Sequence, residues 1–497
     1  MATKPLVIPN VFASEGTGSP NNIPLLDADF TQLANYFNDG SFFSTRGTDT
    51  GAVNAYVVSL PSGYVPSQYN PGMRITVNPA NSNTGASTIN VNALGSVAIV
   101  RADSTPLTGG ELSQGVDTDL VYDGTSFRLM STSVTPLITS VRLRSFNAVG
   151  NPNFEVDQRN AGNTVTSVAN ATLVIDRWKY TMAGSYVISS GQQSATLPDG
   201  CIPGTNYRIS RSFLRTSVTT AEPTLGASDN LLIYNIIEGT QFRELSNDVH
   251  SISILCRSNV ANLKFGLTLQ DQSGAYNLGS LCTLGAANTL TLITLPNLPI
   301  WPSGGTFVTT PSAIAYYLIV VLAAGSSKML STAGTWQNAS GLVGVPGQSN
   351  FVATVGNTFD LMFIQHEPGP ICTQLMDLDF DTNLSRCQRY YQKTYNNWAA
   401  PAAVTTAGVI SFYQTTVSQL QGTAKFSKTM SKIPTVTIYN WNTGAANSLY
   451  HNNGTVYAVS SVNNIGDSGF DAMTVATMPA VVAGAGGQFH YTADTGW

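Results

Sequence analysis

The chain has 497 residues and a net charge of −5, and charged residues make up only 10% of it, well under the roughly 25% of typical soluble domains. Its polarity comes from Asn, Thr, Ser and Gln, which suit exposed strands and turns better than solvated helix faces. Because Lys and Arg form no run, neither nucleic acid nor an anionic membrane is expected as a partner. These features predict an all-β, modular chain of roughly three or four domains.

Residues 1 to 45 are expected to form an opening segment that contains a short helix. Prolines keep its first part extended, and the run LLDADFTQLANYFNDG follows. Asp27 or Asp29 caps the helix, Phe30 and Phe37 have helical spacing, and Gly40 ends it. Isolated helices under about 12 to 15 residues are marginal in water, so this helix is expected to pack against a partner.

Residues 46 to 134 are expected to form a small β domain. The strand-like runs AYVVSL, RITVNP, STINVNAL and AIVRAD alternate there with turns rich in Gly, Pro and Asn. The clearest hairpin is LVYDGTSFRLM, in which Asp123 and Gly124 supply the turn and alternating apolar residues supply an inward face. Residues 135 to 150 are interpreted as a linker.

Residues 151 to 380 are expected to form a central, jelly-roll-like β-sandwich, because short alternating strands recur between turn signals without a fixed long period. The longest apolar run, IAYYLIVVLAA, is far shorter than the roughly 18 to 20 residues that span a bilayer and is interpreted as a buried strand. In the run DRWKY, Trp178 and Tyr180 are expected to face the core, while Asp176 and Arg177 brace the fold.

A connector helix is expected at residues 381 to 395, where Leu384, Cys387, Tyr391 and Tyr395 have helical spacing. The run DLDFDTN just before it alternates aspartates as a calcium loop does. It lacks the Gly and Glu that an EF-hand requires, so a strand is favoured and no metal site is predicted. Residues 396 to 497 are expected to form a C-terminal β domain rich in Gly and Asn turns.

The five cysteines are scattered and show no CxxC spacing, so buried free thiols are expected rather than a zinc or redox site. The run MATKPLVIPN lacks the apolar core of a signal peptide, so folding in a reducing cytosol is expected. The sequence predicts no cofactor.

Several segments, in order along the chain, share one resemblance. They are the leader FASEGTGSPNNIPLLDADFTQLANYFNDG, the module from NAYVVSL to SFRLMS, the run from GNPNFEVDQRN to DRWKY, SRCQRYYQKTY, and the closing GQFHYTADTGW. Each is similar to part of a bacteriophage tail-fibre or receptor-binding protein. Their order makes the resemblance specific, because an unrelated β protein would have to contain all of these segments in the same order along one chain.

The resemblance implies a homotrimeric fibre in the virion, made in the host cytoplasm. Residues 1 to 45 would attach to other phage tail proteins, and the distal domain would meet a host surface polysaccharide or lipopolysaccharide. The chain has no coiled-coil heptads and no collagen-like repeat, so a short fibre of packed β domains is expected.

No catalytic residue is predicted. A polysaccharide depolymerase would need two carboxylates about 5 to 10 Å apart, whereas the acidic residues occur singly along the sequence. The four histidines are not near a GxSxG elbow, and the run GAGGQF lacks the Lys of a phosphate-binding loop. Two alternatives to a glycan-binding fibre remain: a collar or adaptor that carries another adhesin, and a depolymerase tailspike.

Sugar recognition combines aromatic faces, which stack on pyranose rings, with amide and carboxylate groups, which bind hydroxyls. The C-terminal domain has this mixture near its turns. The predicted glycan-binding residues are Trp398, Tyr439, Trp441, Tyr450, His451, Asn452 and Asn453.

Overall fold

The computed structural model describes residues 46–61, 66–130, 146–197 and 199–497. The chain divides into two compact units, Met1–Val141 and Arg142–Trp497. Both are built from β-sheets, which confirms the predicted all-β class. The expected opening helix at residues 1 to 45 and most of the expected linker at 135 to 150 lie outside the described residues.

The first unit contains a closed seven-stranded barrel. Its strands are β1 (Arg46–Asp49), β2 (Ala55–Ser59), β3 (Arg74–Asn78), β4 (Ser87–Val91), β5 (Ser96–Val100), β6 (Thr118–Tyr122) and β7 (Phe127–Leu129). They follow one another as β1-β2-β4-β5-β7-β6-β3, and parallel pairing of β1 with β3 closes the barrel. In β2, Tyr56 and Val58 are buried between exposed neighbours, so alternation fills the interior with apolar side chains.

The predicted hairpin is the pair β6 and β7. Tyr122 lies opposite Phe127, and the turn between them has four residues. Gly124 has a φ of 108°, a conformation that favours glycine. The Asp123 carboxylate accepts hydrogen bonds from the backbone N–H groups of Thr125 (2.9 Å) and Ser126 (2.8 Å), so its side chain, rather than a second positive φ, fixes the turn.

The second unit begins with two sheets. Their strands are β8 (Leu173–Ile175), β9 (Trp178–Ala183), β10 (Val187–Ser194), β11 (Ser212–Thr220), β12 (Asn230–Glu238), β13 (His250–Ser258), β14 (Lys264–Asp271), β15 (Tyr276–Thr283), β16 (Thr291–Leu298), β17 (Ile314–Ala324), β18 (Trp336–Asn338) and β19 (Thr358–Pro368). One sheet has the order β10-β11-β19-β13-β16 and the other β18-β15-β14-β17-β12-β9-β8. A short helix, α1 (Gly239–Phe242), follows β12, and 3-10 turns occur at Ser326–Lys328 and Phe351–Ala353.

A single apolar core lies between these two sheets. Trp178 and Tyr180 on β9 are fully buried in it, as the sequence predicted. Strand β17 is the expected buried strand, and it pairs on both sides, with β12 and β14. Long antiparallel strands with shared buried faces therefore form the expected sandwich.

The rest of the unit is a helix and a third sheet. Its elements are α2 (Phe380–Gln388), β20 (Tyr391–Lys393), β21 (Ile410–Thr416), β22 (Gln419–Lys425), β23 (Thr435–Tyr439), β24 (Ser448–His451), β25 (Val456–Asn463), β26 (Gly469–Val475) and β27 (Gly486–Asp494). Strand β27 pairs with β20, β21, β23 and β24, so it is the centre of the sheet. None of the helices among the described residues is long and apolar enough to span a membrane.

The connector helix exists but is shorter than expected. It ends at Gln388 instead of continuing to residue 395, because Tyr391–Lys393 pairs with β27 and becomes a strand. The sequence favoured a strand for the aspartates of DLDFDTN, and this prediction was wrong. Asp377 and Asp379 precede the helix outside any strand, and Asp381 lies in its first turn. Asp379 caps the helix, and its carboxylate accepts a hydrogen bond from the Thr382 backbone N–H at 2.9 Å.

The segment from Gly150 to Tyr180 connects these parts. The Asn383 side chain on α2 donates to the side-chain oxygens of Asn151 (3.0 Å) and Asn153 (2.8 Å). Arg159 forms a bidentate ion pair with Asp494 on β27: its Nη1 lies 2.6 Å from Oδ2, and its Nη2 lies 3.0 Å from Oδ1. The residues that carry the sequence resemblance therefore hold the sandwich, helix α2 and the third sheet together.

Candidate functional site

Two neighbouring cavities in the second unit share Gly496 as part of their walls. The first, called the tyrosine cavity, has a volume of about 500 Å³ and lies on the outer face of the seven-stranded sheet. The second, called the threonine cavity, has a volume of about 670 Å³ and lies beside β20, β23 and β27. Both volumes fall in the range that small-molecule sites occupy, about 300 to 1,000 Å³.

Strand alternation places the side chains of the tyrosine cavity. Tyr180 and Ile233 point into the core, so their neighbours Lys179 and Tyr234, which pair across β9 and β12, point outward. Tyr317 on β17 lies beside Gln270 on β14 in the same way. The side chains that define the cavity are Lys179, Thr181, Tyr234, Gln270, Tyr317 and Trp497.

The two tyrosines of this cavity pack edge to face, with ring centroids 5.7 Å apart and an interplanar angle of 88°. Neither hydroxyl has a hydrogen-bond partner among the described residues. Burial raises the pKa of Tyr234 to about 12 and also raises the pKa of Tyr317. Both groups are therefore neutral hydroxyls at physiological pH, available as donor and acceptor inside the cavity.

Trp497 closes one end of the tyrosine cavity. Its ring stacks on Tyr390 with centroids 6.0 Å apart and planes 26° apart, and the Lys432 ammonium lies 4.9 Å from the centre of the indole. With Ile236, these aromatic rings form a small apolar cluster on the outer sheet face. The cavity therefore combines fixed aromatic surface with amide, hydroxyl and ammonium groups.

The threonine cavity uses one face of the third sheet. Thr435 and Thr437 on β23 pair with Asp494 and Thr492 on β27, and Tyr391 on β20 pairs with Asp494 from the other side. Residues two apart share a face of a strand, so three strands present hydroxyls and a carboxylate together. Tyr439 continues this row on β23 and also lines the cavity.

An ion pair forms one wall of the threonine cavity. The Arg159 guanidinium contacts Asp494 through two nitrogens and lies 4.2 Å from the centre of the Tyr391 ring. Burial acts to raise the pKa of Asp494, but the hydrogen bonds and charge of Arg159 outweigh it and hold the pKa below its ordinary value. The carboxylate is therefore ionised and already committed to the arginine.

The structure distributes the sequence-predicted site residues over several places. Tyr439 lines the threonine cavity and packs against Tyr395 at 6.2 Å. Trp398 is 67% exposed and stacks on Phe380 at 5.9 Å, away from the walls of both cavities. Only one of these two aromatic residues is therefore positioned in a cavity.

The other five predicted residues lie on β24, the turn after it and a nearby loop. Trp441 and Tyr450 pack together with ring centroids 5.0 Å apart. His451 is buried, and its ring contacts Gln414 Oε1 at 3.2 Å and the Asn453 backbone N–H at 3.1 Å. Asn452 donates to the Gly484 carbonyl. Asn453 donates to the hydroxyl of Tyr457 at 3.1 Å. These polar groups hold the turn, and glycan binding by this group stays a prediction.

Sequence reasoning missed the residues of the tyrosine cavity. Tyr234 and Tyr317 belong to strands whose other face is the core and whose neighbours are mostly Ile, Leu and Val. Such continuous apolar runs show no alternation, so they give no signal of which tyrosine faces outward. Trp497 is distant in sequence from both, and only the fold brings it to them.

No protein-family model matches the sequence, and no curated protein matches it. Partial likenesses to solved structures include TmCBM61 in complex with beta-1,4-galactotriose, at 10% identity and a TM-score of 0.23, covering 45% of this chain and 99% of that one. The family 11 carbohydrate-binding module of the cellulosomal cellulase Lic26A-Cel5E of Clostridium thermocellum is 12% identical at a TM-score of 0.22, covering 47% and 100%. The enzymatically active domain of tailspike protein 4 of bacteriophage CBA120 is 11% identical at a TM-score of 0.22, covering 41% and 21%.

Proposed function

We propose that the chain is a glycan-binding tail-fibre protein of a bacteriophage and that the tyrosine and threonine cavities bind the glycan. The observation that carries the proposal is the pair of unpartnered hydroxyls, on Tyr234 and Tyr317, inside a cavity with aromatic walls. Because neither hydroxyl is committed to another protein group, each can donate to and accept from water or a ligand. Sugar hydroxyls supply matching donors and acceptors, and a sugar ring supplies apolar C–H surface for the partly exposed rings of Tyr234 and Tyr317.

The two cavities together suit an oligosaccharide better than a monosaccharide. They share Gly496, so consecutive sugar units could occupy both. The threonine cavity offers the hydroxyls of Thr435 and Thr437 on β23 and the ammonium of Lys432, which precedes that strand. Recognition would therefore come from many weak hydrogen bonds, and several fibres per virion would raise the effective affinity.

Replacing both Tyr234→Phe and Tyr317→Phe tests the proposal. The change removes two hydroxyls and keeps both rings, so we expect the folded structure to remain and glycan affinity to fall about tenfold, the loss expected for one or two hydrogen bonds. The measurement is a glycan-array screen of the full chain followed by titration of the best glycan. Tyr413→Phe, at an exposed position on β21, is the matched control.

The result would contradict the proposal if the double variant and the control bound the glycan equally well. If binding depended instead on Trp441 and Tyr450, the glycan site would be the one first predicted from the sequence. A Trp441→Ala variant in the same titration distinguishes these cases.

The fibre assembly belongs to the same proposal. The sequence resemblance supports a homotrimer located in the virion, with residues 1 to 45 attached to other tail proteins. Light scattering of the purified chain measures the assembly directly, and a monomer at micromolar concentration would contradict the trimer. An adaptor that carries another adhesin is the alternative, and unchanged host range after replacing residues 142 to 497 would favour it.

We further propose that the chain binds the glycan without cleaving it. The described side chains that line the tyrosine cavity include no Asp or Glu, and Asp494 in the threonine cavity is held by Arg159. Glycoside hydrolysis requires two carboxylates that act as acid and base or nucleophile. Shortened products after incubation with host polysaccharide would instead support the depolymerase alternative.

A further inference from the structure

A third cavity of the second unit, called the arginine cavity, lies beside helix α2 and is separate from the two already described. Its volume is about 500 Å³. The charged side chains in its walls are Arg177, Arg386, Arg389, Lys428 and Asp381. The chain as a whole has a net charge of −5, so this group of four cations is a local positive region in a negatively charged chain.

Only part of this positive charge is balanced. Arg389 forms an ion pair with the buried carboxylate of Glu238, with its Nε 3.0 Å from the Glu238 Oε2. Neither Arg177 nor Arg386 has a carboxylate within ion-pair distance among the described residues. With Asp381 and Glu238 both counted, the cavity keeps an excess of two positive charges.

Arg177 is the more unusual of the two unpaired arginines, because its side chain is only 3% exposed. Its Nη2 donates to the Ile236 carbonyl, while its Nε and Nη1 are buried without a hydrogen-bond partner among the described residues. The Tyr390 ring lies 3.6 Å from the guanidinium carbon and covers one face. A cation–π contact compensates only part of the cost of burying a charge.

Arg386 extends from α2 into the same space and donates to the Asn147 carbonyl at 2.7 Å. Burial lowers the pKa of Arg386 below its usual value, and the positive charge of Arg177 nearby adds to that effect. Two guanidinium groups beside one cavity, each bonded to a neutral carbonyl, form an arrangement that an anion would stabilise. Lys428 stands exposed at the cavity, where it can reach a bound group.

We propose that the arginine cavity binds an oxyanion carried by a glycan, either the carboxylate of a uronic acid or a phosphate group. The planar guanidinium of Arg386 matches the two oxygens of a carboxylate or phosphate. The buried charge of Arg177 strengthens the attraction without direct contact, because little water screens it. Hydroxyls on Thr382 and Ser385 of α2 line the same wall and would contact the neutral part of the sugar. The cavity would thereby select acidic over neutral surface polysaccharides.

The test is a calorimetric titration of the 497-residue chain with sodium glucuronate and with inorganic phosphate, at constant ionic strength and with glucose as the neutral comparison. Lys428→Gln removes an exposed cation and is expected to fold normally. Arg386→Gln removes a partly buried one, and its thermal unfolding is recorded first. Lys264→Gln, an exposed position on β14 outside the cavity, is the matched control.

We expect glucuronate or phosphate, but not glucose, to bind the natural protein and the Lys264→Gln control alike. Each cavity variant should bind about tenfold more weakly, as loss of one charge-assisted hydrogen bond implies. If only glucuronate binds, the oxyanion that the cavity recognises is a sugar carboxylate; if only inorganic phosphate binds, it is a phosphate group. Absence of binding to the natural protein, or equal binding by all variants, would overturn the proposal. The Tyr234→Phe and Tyr317→Phe double variant should keep anion binding, so the two glycan proposals fail or succeed separately.

Discussion

At the scale of single residues, two histidines share a hydrogen bond in the core of the sandwich. His366 Nε2 and His250 Nδ1 are 3.0 Å apart, and His366 Nδ1 is 2.7 Å from the Tyr316 hydroxyl. The Trp301 ring stacks on His250 with centroids 4.6 Å apart. Burial lowers the pKa of His250 to about 3 and lowers that of His366 well below its ordinary value. Both side chains are therefore neutral in the folded protein at physiological pH.

This pair predicts a loss of stability on acidification. Below about pH 6.5 the unfolded chain binds protons at both histidines while the folded protein does not, so the free energy of unfolding falls by about 1.4 kcal/mol per pH unit for each histidine. Urea unfolding at pH 7.5 and pH 5.5 should show the natural protein losing about 3 kcal/mol more than a His250→Gln and His366→Gln double variant.

The comparison with the double variant is needed because Asp176 acts in the opposite direction. Burial raises the pKa of Asp176 to about 6, so the folded protein binds its proton before the unfolded chain does as the pH falls. Asp176 thus adds stability on acidification between its folded and unfolded pKa values. Both proteins contain Asp176, so its effect cancels in the difference. Equal pH slopes for the two proteins would contradict a neutral buried histidine pair.

At the scale of elements, helix α2 is fixed by one buried amide. Asn383 is fully buried, and it bonds the side-chain oxygens of Asn151 and Asn153 in the segment before β8. Asn383→Ala should lower the free energy of unfolding by about 2 kcal/mol, because two hydrogen bonds are lost. The two acceptor oxygens each keep a backbone N–H donor, from Val156 and Glu155. Gln388→Ala, at the last residue of the same helix, should change it by less than about 0.5 kcal/mol. Urea unfolding of both variants provides the measurement, and similar losses would argue against a specific role of the amide.

Local patterns predicted the elements whose determinants are close in sequence. The hairpin of β6 and β7 needs alternating apolar residues together with Asp123 and Gly124 at the turn, and all of these are visible in the sequence. Helix α2 was predicted too long because the residues with helical spacing, which begin at Leu384, continue through Tyr391. Pairing with β27, about a hundred residues later, converts that residue to strand. Register between distant strands has no local signal, which explains this error.

The cavities were not predictable for a related reason. The threonine cavity depends on the register in which β23 pairs with β27. The tyrosine cavity depends on Trp497 reaching the outer face of the sandwich. The aromatic and Asn-rich composition of residues 396 to 497 drew attention to Tyr439, which lines the threonine cavity. It could not distinguish a side chain in a cavity from one such as Asn453, whose amide supports a turn.

At the scale of the whole molecule, the glycan proposal requires both parts of the second unit. The tyrosine cavity takes Tyr234 and Tyr317 from the sandwich and Trp497 from beyond the third sheet, and the threonine cavity takes Arg159 from before β8. A fragment of residues 142 to 497, which has its own cores, should fold and keep the glycan affinity of the full chain. Fragments 151 to 395 and 396 to 497 should each lose it. Circular dichroism and the glycan titration test this, and full binding by residues 396 to 497 alone would contradict the shared site.

Strand β27 has a consequence for how the chain is made. It follows every other strand of the third sheet in the sequence, yet it pairs with four of them, and its Asp494 holds Arg159 in the segment before β8. While the ribosome is still translating, strands β20 to β26 lack their central neighbour and expose unpaired edges. The sheet can close only after β27 has left the exit tunnel. A nonsense mutation before Gly486 would therefore leave these strands open to aggregation, however much of the sandwich had already folded.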